Sequence, residues 1–258
     1  MELRWDGYKK VSGQVCKRIK KRFTHLGLAD YNSYRSFLEC HADEWKALER
    51  MTRISISRFF RDRKVWEELG ENILPALARQ ADQENRSFRC WSAGCASGEE
   101  PYSFAILWKE RVAYRFPRLK MDLVATDANE ELLKRAVQAR YSTGSLKEVP
   151  GEWMDLCFKR KSSGFLLSEA YRDTVEFLHQ DIREEMPEGV FDIIFCKNLV
   201  AMYFSSELAT EIFMKIIRQL RGDGFLVLGN HETVPKEIEN KLISHNKGLN
   251  LYRKRKMK

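Results

Sequence analysis

Short apolar runs alternate with amphipathic stretches over the later part of the chain. The runs favour β-strands because turn residues bound them. They predict strands at residues 88–93, 121–126, 175–179, 191–196 and 225–229. Apolar residues spaced three or four apart predict helices between them at 99–111, 130–140 and 208–220. Such alternation is typical of a mostly parallel sheet with crossover helices, so the fold class is α/β and Rossmann-like.

The first 80 residues carry a helical pattern instead. Apolar residues recur every fourth position at Val11, Val15, Ile19 and Phe23, and further helical stretches cover 31–51 and 63–81. The polar segment DQENRS follows at 82–87. We therefore expect a basic helical domain at 1–80 and an α/β domain at 81–258. Residues 141–173 hold Pro, several Gly and one short apolar run, which predicts a small inserted β subdomain.

The positive charge is concentrated at the start of the chain. Residues 1–64 hold 16 Lys+Arg against 8 Asp+Glu, and the remainder is balanced with 29 of each. Lys10, Lys17 and Lys21 lie on the helix face opposite the apolar stripe. This face is either a solvated surface or a contact for an acidic partner.

Several classes of protein are disfavoured by what the sequence lacks. The first residues contain no apolar segment typical of a signal peptide, and no apolar run approaches a membrane span, so we expect a cytoplasmic protein without membrane insertion. The six cysteines form no C-x-x-C pair, and the five histidines show no metal-ligand spacing. We expect reduced thiols and no bound metal.

The first predicted strand leads into a turn of small residues followed by two acids. Gly94 and Gly98 match neither the phosphate-binding G-x-x-x-x-G-K-[ST] spacing nor the dinucleotide G-x-G-x-x-G spacing. Glu99 and Glu100 follow at the position where a phosphate would be repelled. A ligand of this turn is therefore not a phosphate.

Polar residues also follow the next three predicted strands. Asp127 can bind two ribose hydroxyls, Asp181 can accept from an exocyclic amine, and Asn198 ends the fourth strand. S-adenosylmethionine fits this set, since its sulfonium and ammonium are cations that carboxylates attract. Each acid has a structural alternative, as a helix cap, a first-turn acid or a turn residue. Their order at four strand ends favours the ligand.

Together these segments resemble one family. WSAGCASGEEPYS, RFFRD, ATDANEELLKRA, VEFLHQDI and FDIIFCKN with a later YF are similar to the CheR family of chemotaxis-receptor glutamate O-methyltransferases. The resemblance runs from about residue 13 to the end. It implies a class I S-adenosylmethionine-dependent methyltransferase whose helical N-terminal domain closes over the cofactor.

The resemblance implies roles for matched residues. The implied catalytic residues are Arg61, Asn198 and Tyr203, of which Arg61 has a simpler alternative as a surface residue after a buried Phe pair. Glu100 would bind the methionine end of the cofactor, Asp127 the ribose, and Asp181 with Ile182 the adenine. The full implied cofactor-binding set is Ser55, Ser57, Arg61, Ala93, Gly94, Glu100, Asp127, Ala128, Asp181, Ile182, Asn198 and Leu199.

The sequence departs from the family pattern near the acceptor side. Ser55 and Ser57 replace Asn and Thr, Lys197 replaces an Arg, and one extra residue precedes Tyr203. The acceptor is therefore either an acidic, receptor-like protein or a small molecule or different protein. A sensor that binds the cofactor without turnover is a further alternative. The basic segments suggest a nucleic-acid methyltransferase, but the chain lacks [DN]-P-P-[YF] after the fourth strand and a Pro-Cys nucleophile, which disfavours it.

Overall fold

The computed structural model describes residues 12–52, 57–246 and 248–256. Contacts divide the chain into two units between Ile56 and Ser57. The predicted boundary at residue 80 thus lies inside the larger unit. The physical reason is packing, since the Trp66 ring stacks on Phe195 of the central sheet with 5.4 Å between ring centroids. The division into domains at residue 80 stays a prediction.

The described part of the smaller unit contains three helices, with bounds α1 Ser12–His25, α2 Tyr31–Cys40 and α3 Ala42–Thr52. Its core contains Phe23, Tyr34 and Leu38. Glu44 is buried and accepts both a bidentate pair from Arg22, at 2.9 and 2.7 Å, and the Tyr34 hydroxyl at 2.8 Å. This satisfied carboxylate fixes α1 against the other two helices.

One face of α1 is basic, as the sequence indicated. Val15 and Phe23 are buried, while the Lys17 and Lys21 side chains are exposed. The third predicted member of that face, Lys10, and the first apolar member, Val11, lie outside the described residues. The described part of the helix therefore matches the predicted stripe and its opposite basic face.

The described residues of the larger unit include ten strands. Their bounds are β1 Phe88–Ala93, β2 Met121–Asp127, β3 Arg140–Tyr141, β4 Phe158–Lys161, β5 Gly164–Leu167, β6 Val175–His179, β7 Phe191–Cys196, β8 Leu220–Leu228, β9 Leu242–Asn246 and β10 Leu251–Lys254. All six residues of β7 are buried, and so are five of the six residues of β1. These strands are mostly apolar because helices cover both faces of the sheet.

Helices of the larger unit connect and flank these strands. Their bounds are α4 Arg63–Glu68, α5 Leu74–Gln83, α6 Glu99–Leu107, α7 Glu130–Gln138, α8 Gly151–Cys157, α9 Glu169–Arg172, α10 Val200–Tyr203, α11 Ser206–Gln219 and α12 Lys236–Glu239. Wide π turns follow α4 and α6, at Leu69–Ile73 and Trp108–Val112. Short 3-10 turns lie at Ala113–Arg115 and Thr143–Leu146. Among the described ranges, no helix is both long and apolar enough to cross a membrane.

Seven strands form the main sheet in the order β6-β2-β1-β7-β8-β10-β9. Strands β6 to β8 in that order pair in parallel, and β10 is antiparallel to both β8 and β9. The strand order reverses between β1 and β7, and ligands of open α/β sheets bind beyond the carboxyl ends at such a switch. The α/β, Rossmann-like fold class is confirmed.

Three of the predicted strands have the bounds that the structure shows, and the other predicted elements differ by one or more residues. The strands predicted at 88–93, 175–179 and 191–196 have those bounds. Strand β8 begins at Leu220 rather than at residue 225, and β9 was not predicted. Strands β3, β5 and β4 form an antiparallel sheet within and beside the insertion predicted at 141–173.

Candidate functional site

The turn after β1 is a close-packed bend at the switch point. Gly94 has φ of 72°, a conformation that favours glycine, and a Cβ built on it would lie 2.7 Å from Leu199 Cδ2. The amides of Gly94 and Cys95 both donate to the Thr126 carbonyl, at 2.8 and 2.9 Å. The turn is thereby held between the ends of β2 and β7, and Ala93 before it is buried.

Asp127 organises the adjacent strand end. Its carboxylate accepts from the Ala96 amide at 2.8 Å and from the Asn129 amide at 2.8 Å. The cap of α7 is Asn129 itself, whose side chain accepts from the amides of Glu131 and Leu132. The helix-cap alternative for Asp127 therefore does not describe this structure. A carboxylate can accept more than two hydrogen bonds, so fixing the turn does not exclude a ligand.

The two acids of the turn differ in their surroundings. Glu99 is buried and accepts from the hydroxyls of Ser97 at 2.9 Å and Ser145 at 3.4 Å, so it ties the turn to the inserted subdomain. Glu100 has an exposed fraction of 15% and accepts from Ser92 Oγ at 2.8 Å. Burial raises the pKa of Glu100, and the nearby Lys197 ammonium opposes that rise.

The segment that carries Arg61 is anchored beside Glu100. Lys197 Nζ lies 2.9 Å from Asp62 Oδ2, 3.9 Å from Glu100 Oε2 and 3.4 Å from the Arg61 carbonyl. The same carbonyl accepts from Trp66 Nε1 at 2.8 Å. The Arg61 side chain is exposed, and its charge is among those that lower the pKa of Glu100. The backbone of Arg61 is thus fixed next to the acid of the turn.

Asp181 follows β6, and its carboxylate contacts Arg183. Arg183 donates from its backbone amide at 3.0 Å and from Nε and Nη2 at 2.9 and 2.6 Å. The Gln180 amide donates to the Asp127 carbonyl at 3.2 Å, which brings this turn next to the end of β2. Ile182 is buried, and the Ala128 carbonyl lies 3.2 Å from His179 Nε2.

The end of β7 is shaped by a buried acid that the sequence analysis did not single out. Glu232 Oε2 accepts from the amides of Asn198 at 2.5 Å and Gly229 at 2.8 Å, and Oε1 accepts from the Leu199 amide at 3.1 Å. Burial raises the pKa of Glu232, while these three amides favour its ionised form. The bonds hold Asn198 in a left-handed conformation with φ of 54°.

The catalytic candidate Tyr203 ends the one-turn helix α10. Its amide donates to the Leu199 carbonyl at 3.0 Å, and its side chain is buried with an exposed fraction of 8%. The role of Tyr203 stays a prediction.

The structure thus gathers most predicted site residues at one edge of the sheet. Gly94 packs against the Leu199 side chain, the Ala96 amide donates to the Asp127 carboxylate, and the Glu100 carboxylate lies 3.9 Å from Lys197 Nζ. Ser57 is half-buried at the start of the larger unit, and Ser55 lies outside the described residues. The sequence analysis missed Asp62 and Glu232. No pattern in the sequence marks Glu232, and only tertiary contacts reveal that it accepts hydrogen bonds from the strand-end amides.

Comparison with known proteins decides the family. Residues 55–248 match the family described as "CheR methyltransferase, SAM binding domain". The chain belongs to the CheR methyltransferase family. The resemblance found from the motifs is therefore confirmed. The matched region begins close to the unit boundary and ends near the last two strands of the sheet, so it covers the whole strand-end site.

Several relatives of this CheR-family chain are named chemotaxis protein methyltransferases. One from Listeria monocytogenes is 33% identical over 181 residues, which are 70% of this chain and 66% of that protein. One from Borreliella burgdorferi is 30% identical over 84% of this chain and 80% of its own length. One from Salmonella typhimurium is 30% identical over 84% of this chain and 75% of its own length.

The family assigns S-adenosylmethionine as the cofactor of this CheR-family chain, which is an S-adenosylmethionine-dependent methyltransferase. The strand-end residues fit that cofactor. Glu100 is a mostly enclosed carboxylate, and the Lys197 ammonium beside it lies closer to Asp62 than to Glu100. Such a carboxylate attracts a further cation, and the cofactor carries an ammonium and a sulfonium.

Proposed function

We propose that this methyltransferase transfers methyl groups to glutamate carboxylates of chemotaxis receptors. The observation that carries the proposal is the family match, together with the exposed Arg61 side chain, whose charge acts on Glu100 at the same strand-end site. The names of the relatives support a role in chemotaxis. We also propose that the enzyme acts in the cytoplasm, where its six free thiols would stay reduced.

The basic face of α1 supports an acidic acceptor. Lys17, Lys20 and Lys21 are exposed, and α1 has no acid in its first turn. Glutamate side chains on a receptor helix would be attracted to such a face at low and moderate salt. In this proposal α1 recruits the acceptor, and the strand-end site of the larger unit carries out the transfer.

Within the proposal, each strand-end residue has one task. Glu100 binds the ammonium of the cofactor, Asp127 its ribose hydroxyls, and Asp181 with Ile182 its adenine. The Gly94 turn and Asn198–Leu199 enclose the cofactor between them, and Ser55 and Ser57 contribute from the segment before Arg61. Arg61 orients the acceptor carboxylate, and Tyr203 lies on the acceptor side.

The proposed reaction requires little acid–base catalysis from these residues. When bound, the cofactor supplies an activated methyl group on a sulfonium. A glutamate acceptor is already ionised at neutral pH, so the protein need not remove a proton from it. Arg61 and Tyr203 can instead hold the acceptor carboxylate in line with the methyl group and exclude water around it. Such positioning lowers the activation barrier because the entropy of orienting the reactants is lost on binding rather than in the transition state.

The direct test is methyl transfer from tritiated cofactor to purified cytoplasmic fragments of chemotaxis receptors. We expect label on the fragment that mild base releases, because carboxyl esters are base-labile whereas methylated amines and amides are not. A fragment with Glu→Gln replacements at its acidic helix is the matched control and should take up no label. No transfer to any receptor fragment would refute the receptor proposal.

A second class of methyl acceptor is favoured by two positions where the sequence departs from the family pattern on the acceptor side of the site. Lys197 lies where the family pattern has an Arg, and one extra residue precedes Tyr203. A small molecule or a different protein would then take the methyl group. Transfer to a component of a metabolite extract, with none to receptor fragments, would support this alternative and exclude the first.

A further inference from the structure

The Lys197 ammonium is enclosed between the site's acid and the Arg61 segment. Its side chain has an exposed fraction of 6%, and it lies over the Trp66 ring with 5.8 Å between Nζ and the ring centroid. Nζ contacts Asp62 Oδ2 at 2.9 Å and lies 3.9 Å from Glu100 Oε2. One cation therefore serves two carboxylates that come from different parts of the chain.

The Asp62 end of this arrangement fixes the backbone that presents Arg61. Asp62 has φ of 67°, and its other oxygen accepts from Asn230 Nδ2 at 2.7 Å. Lys197 Nζ also donates to the Arg61 carbonyl at 3.4 Å. Because Asp62 directly follows Arg61, a displacement of Lys197 would move the peptide units on both sides of it.

The Glu100 end is sensitive to the charge of Lys197. The groups that act on the Glu100 carboxylate are the Lys197 ammonium and Ser92 hydroxyl, which lower its pKa with Arg61, and the Asp62 carboxylate, which raises it. Three buried thiols face the same region and are neutral, since burial raises the pKa of Cys90, Cys95 and Cys196. Among the groups that oppose the effect of burial on the pKa of Glu100, the Lys197 ammonium has the largest influence.

We propose that Lys197 is a positioning residue that couples occupancy of Glu100 by the cofactor's ammonium to the placement of Arg61. A cation bound at Glu100 competes with Lys197 for that carboxylate and shifts Lys197 toward Asp62 and the Arg61 carbonyl. Lys197 thereby makes the Arg61 segment respond to the cofactor. This inference rests on the proposed role of Glu100 in cofactor binding.

The first test is the pH profile of S-adenosylhomocysteine affinity, measured by calorimetry without any acceptor. Affinity should fall on acidification as Glu100 takes up a proton. In Lys197→Met the carboxylate loses an opposing cation, so its pKa rises and the fall should begin about one to three pH units higher. Lys197→Arg keeps the charge and should retain the wild-type midpoint within about half a unit.

The matched control is Lys215→Met, which removes a lysine paired with Glu211 on the exposed side of α11 and should leave the profile unchanged. Equal midpoints for Lys197→Met, Lys215→Met and wild type would overturn the electrostatic half of the proposal. Absence of methyl transfer to receptor fragments would overturn the proposed acceptor but would not move these midpoints, so the two failures are distinguishable.

The second test is hydrogen exchange of residues 57–62 with and without S-adenosylhomocysteine. We expect the ligand to slow exchange of these amides at least about fivefold in wild type and in Lys197→Arg, because the Arg61 segment tightens. In Lys197→Met this slowing should disappear, while the amides of Ala96 and Asn129 beside Asp127 stay protected by ligand. Equal slowing of residues 57–62 in Lys197→Met would overturn the coupling.

Discussion

Replacing Asp127 by Ala tests two roles of one carboxylate. The carboxylate holds the turn after β1, and in the proposed function it also binds the ribose of the cofactor. Its oxygens accept from the amides of Ala96 and Asn129, each at 2.8 Å, and the proposed function adds two ribose hydroxyls. A hydrogen bond to a charged acceptor contributes about 1.5–3 kcal/mol. Loss of both ribose contacts is then worth about 3 kcal/mol or more, which is about 100-fold in affinity.

The same change also affects folding. Ala96 is buried, and its amide would lose its acceptor, whereas the Asn129 amide is half-buried and can turn to water. We expect the free energy of unfolding to fall by about 2 kcal/mol, which for a chain of this size lowers Tm by about 5 °C. Calorimetry with S-adenosylhomocysteine and a thermal melt on the same sample measure the two effects.

Two comparisons make this prediction specific. Asn129→Ala removes the cap of α7, costs about 1 kcal/mol of stability and should leave affinity within about threefold. An S-adenosylhomocysteine analogue that lacks both ribose hydroxyls should bind Asp127→Ala and wild type about equally. If Asp127→Ala weakened that analogue as much as it weakens the natural ligand, the carboxylate would act through the turn alone and the ribose assignment would be wrong.

Three further variants examine other parts of the site. Arg61→Ala should leave the affinity for S-adenosylhomocysteine within about threefold but lower the rate of methyl transfer about 100-fold. Single-turnover transfer measures this rate. A parallel loss of cofactor affinity would contradict a role of Arg61 on the acceptor. Reversing Lys17 and Lys21 to Glu should raise KM for a receptor fragment about tenfold at low salt, and an effect that persists at 1 M salt would argue against electrostatic recruitment. Gly94→Ala should lower stability by about 1–2 kcal/mol, since Ala is strained at φ of 72° and its Cβ would displace Leu199; an unchanged Tm would show that the turn relaxes.

The parallel strands were predictable because local pattern and tertiary environment agree. Strands β1 and β7 are buried on both faces, so their sequences are mostly apolar. Strand β8 was predicted too short because Arg221 to Gly224 reads as a turn, whereas the structure pairs Leu220 with Phe191 before a register shift. Strand β9 is short and polar, and its pairing with β10 stabilises it.

Site residues could be predicted where an acidic residue directly follows a recognisable strand. They were missed where a residue matters only because of the groups that folding brings next to it. Asp127 and Glu100 stand at strand ends that the alternation of elements locates. Glu232 and Asp62 carry no such signal, because one is an acid in a loop and the other an acid in a left-handed turn. Their importance follows from the backbone amides and the lysine that folding brings to them.

The Asp181–Arg183 pair sets how tightly the third strand end can recognise a base. Three hydrogen bonds within two residues give this turn its shape before any ligand arrives. A preorganised loop loses less conformational entropy on binding, which favours fast and selective docking. The guanidinium, however, takes up acceptor positions on the carboxylate, so a base amine must share them. The Asp181 turn therefore offers the adenine a well-defined shape but only a weak hydrogen-bond acceptor. Most of the cofactor affinity must then come from the contacts to the ribose and the methionine end.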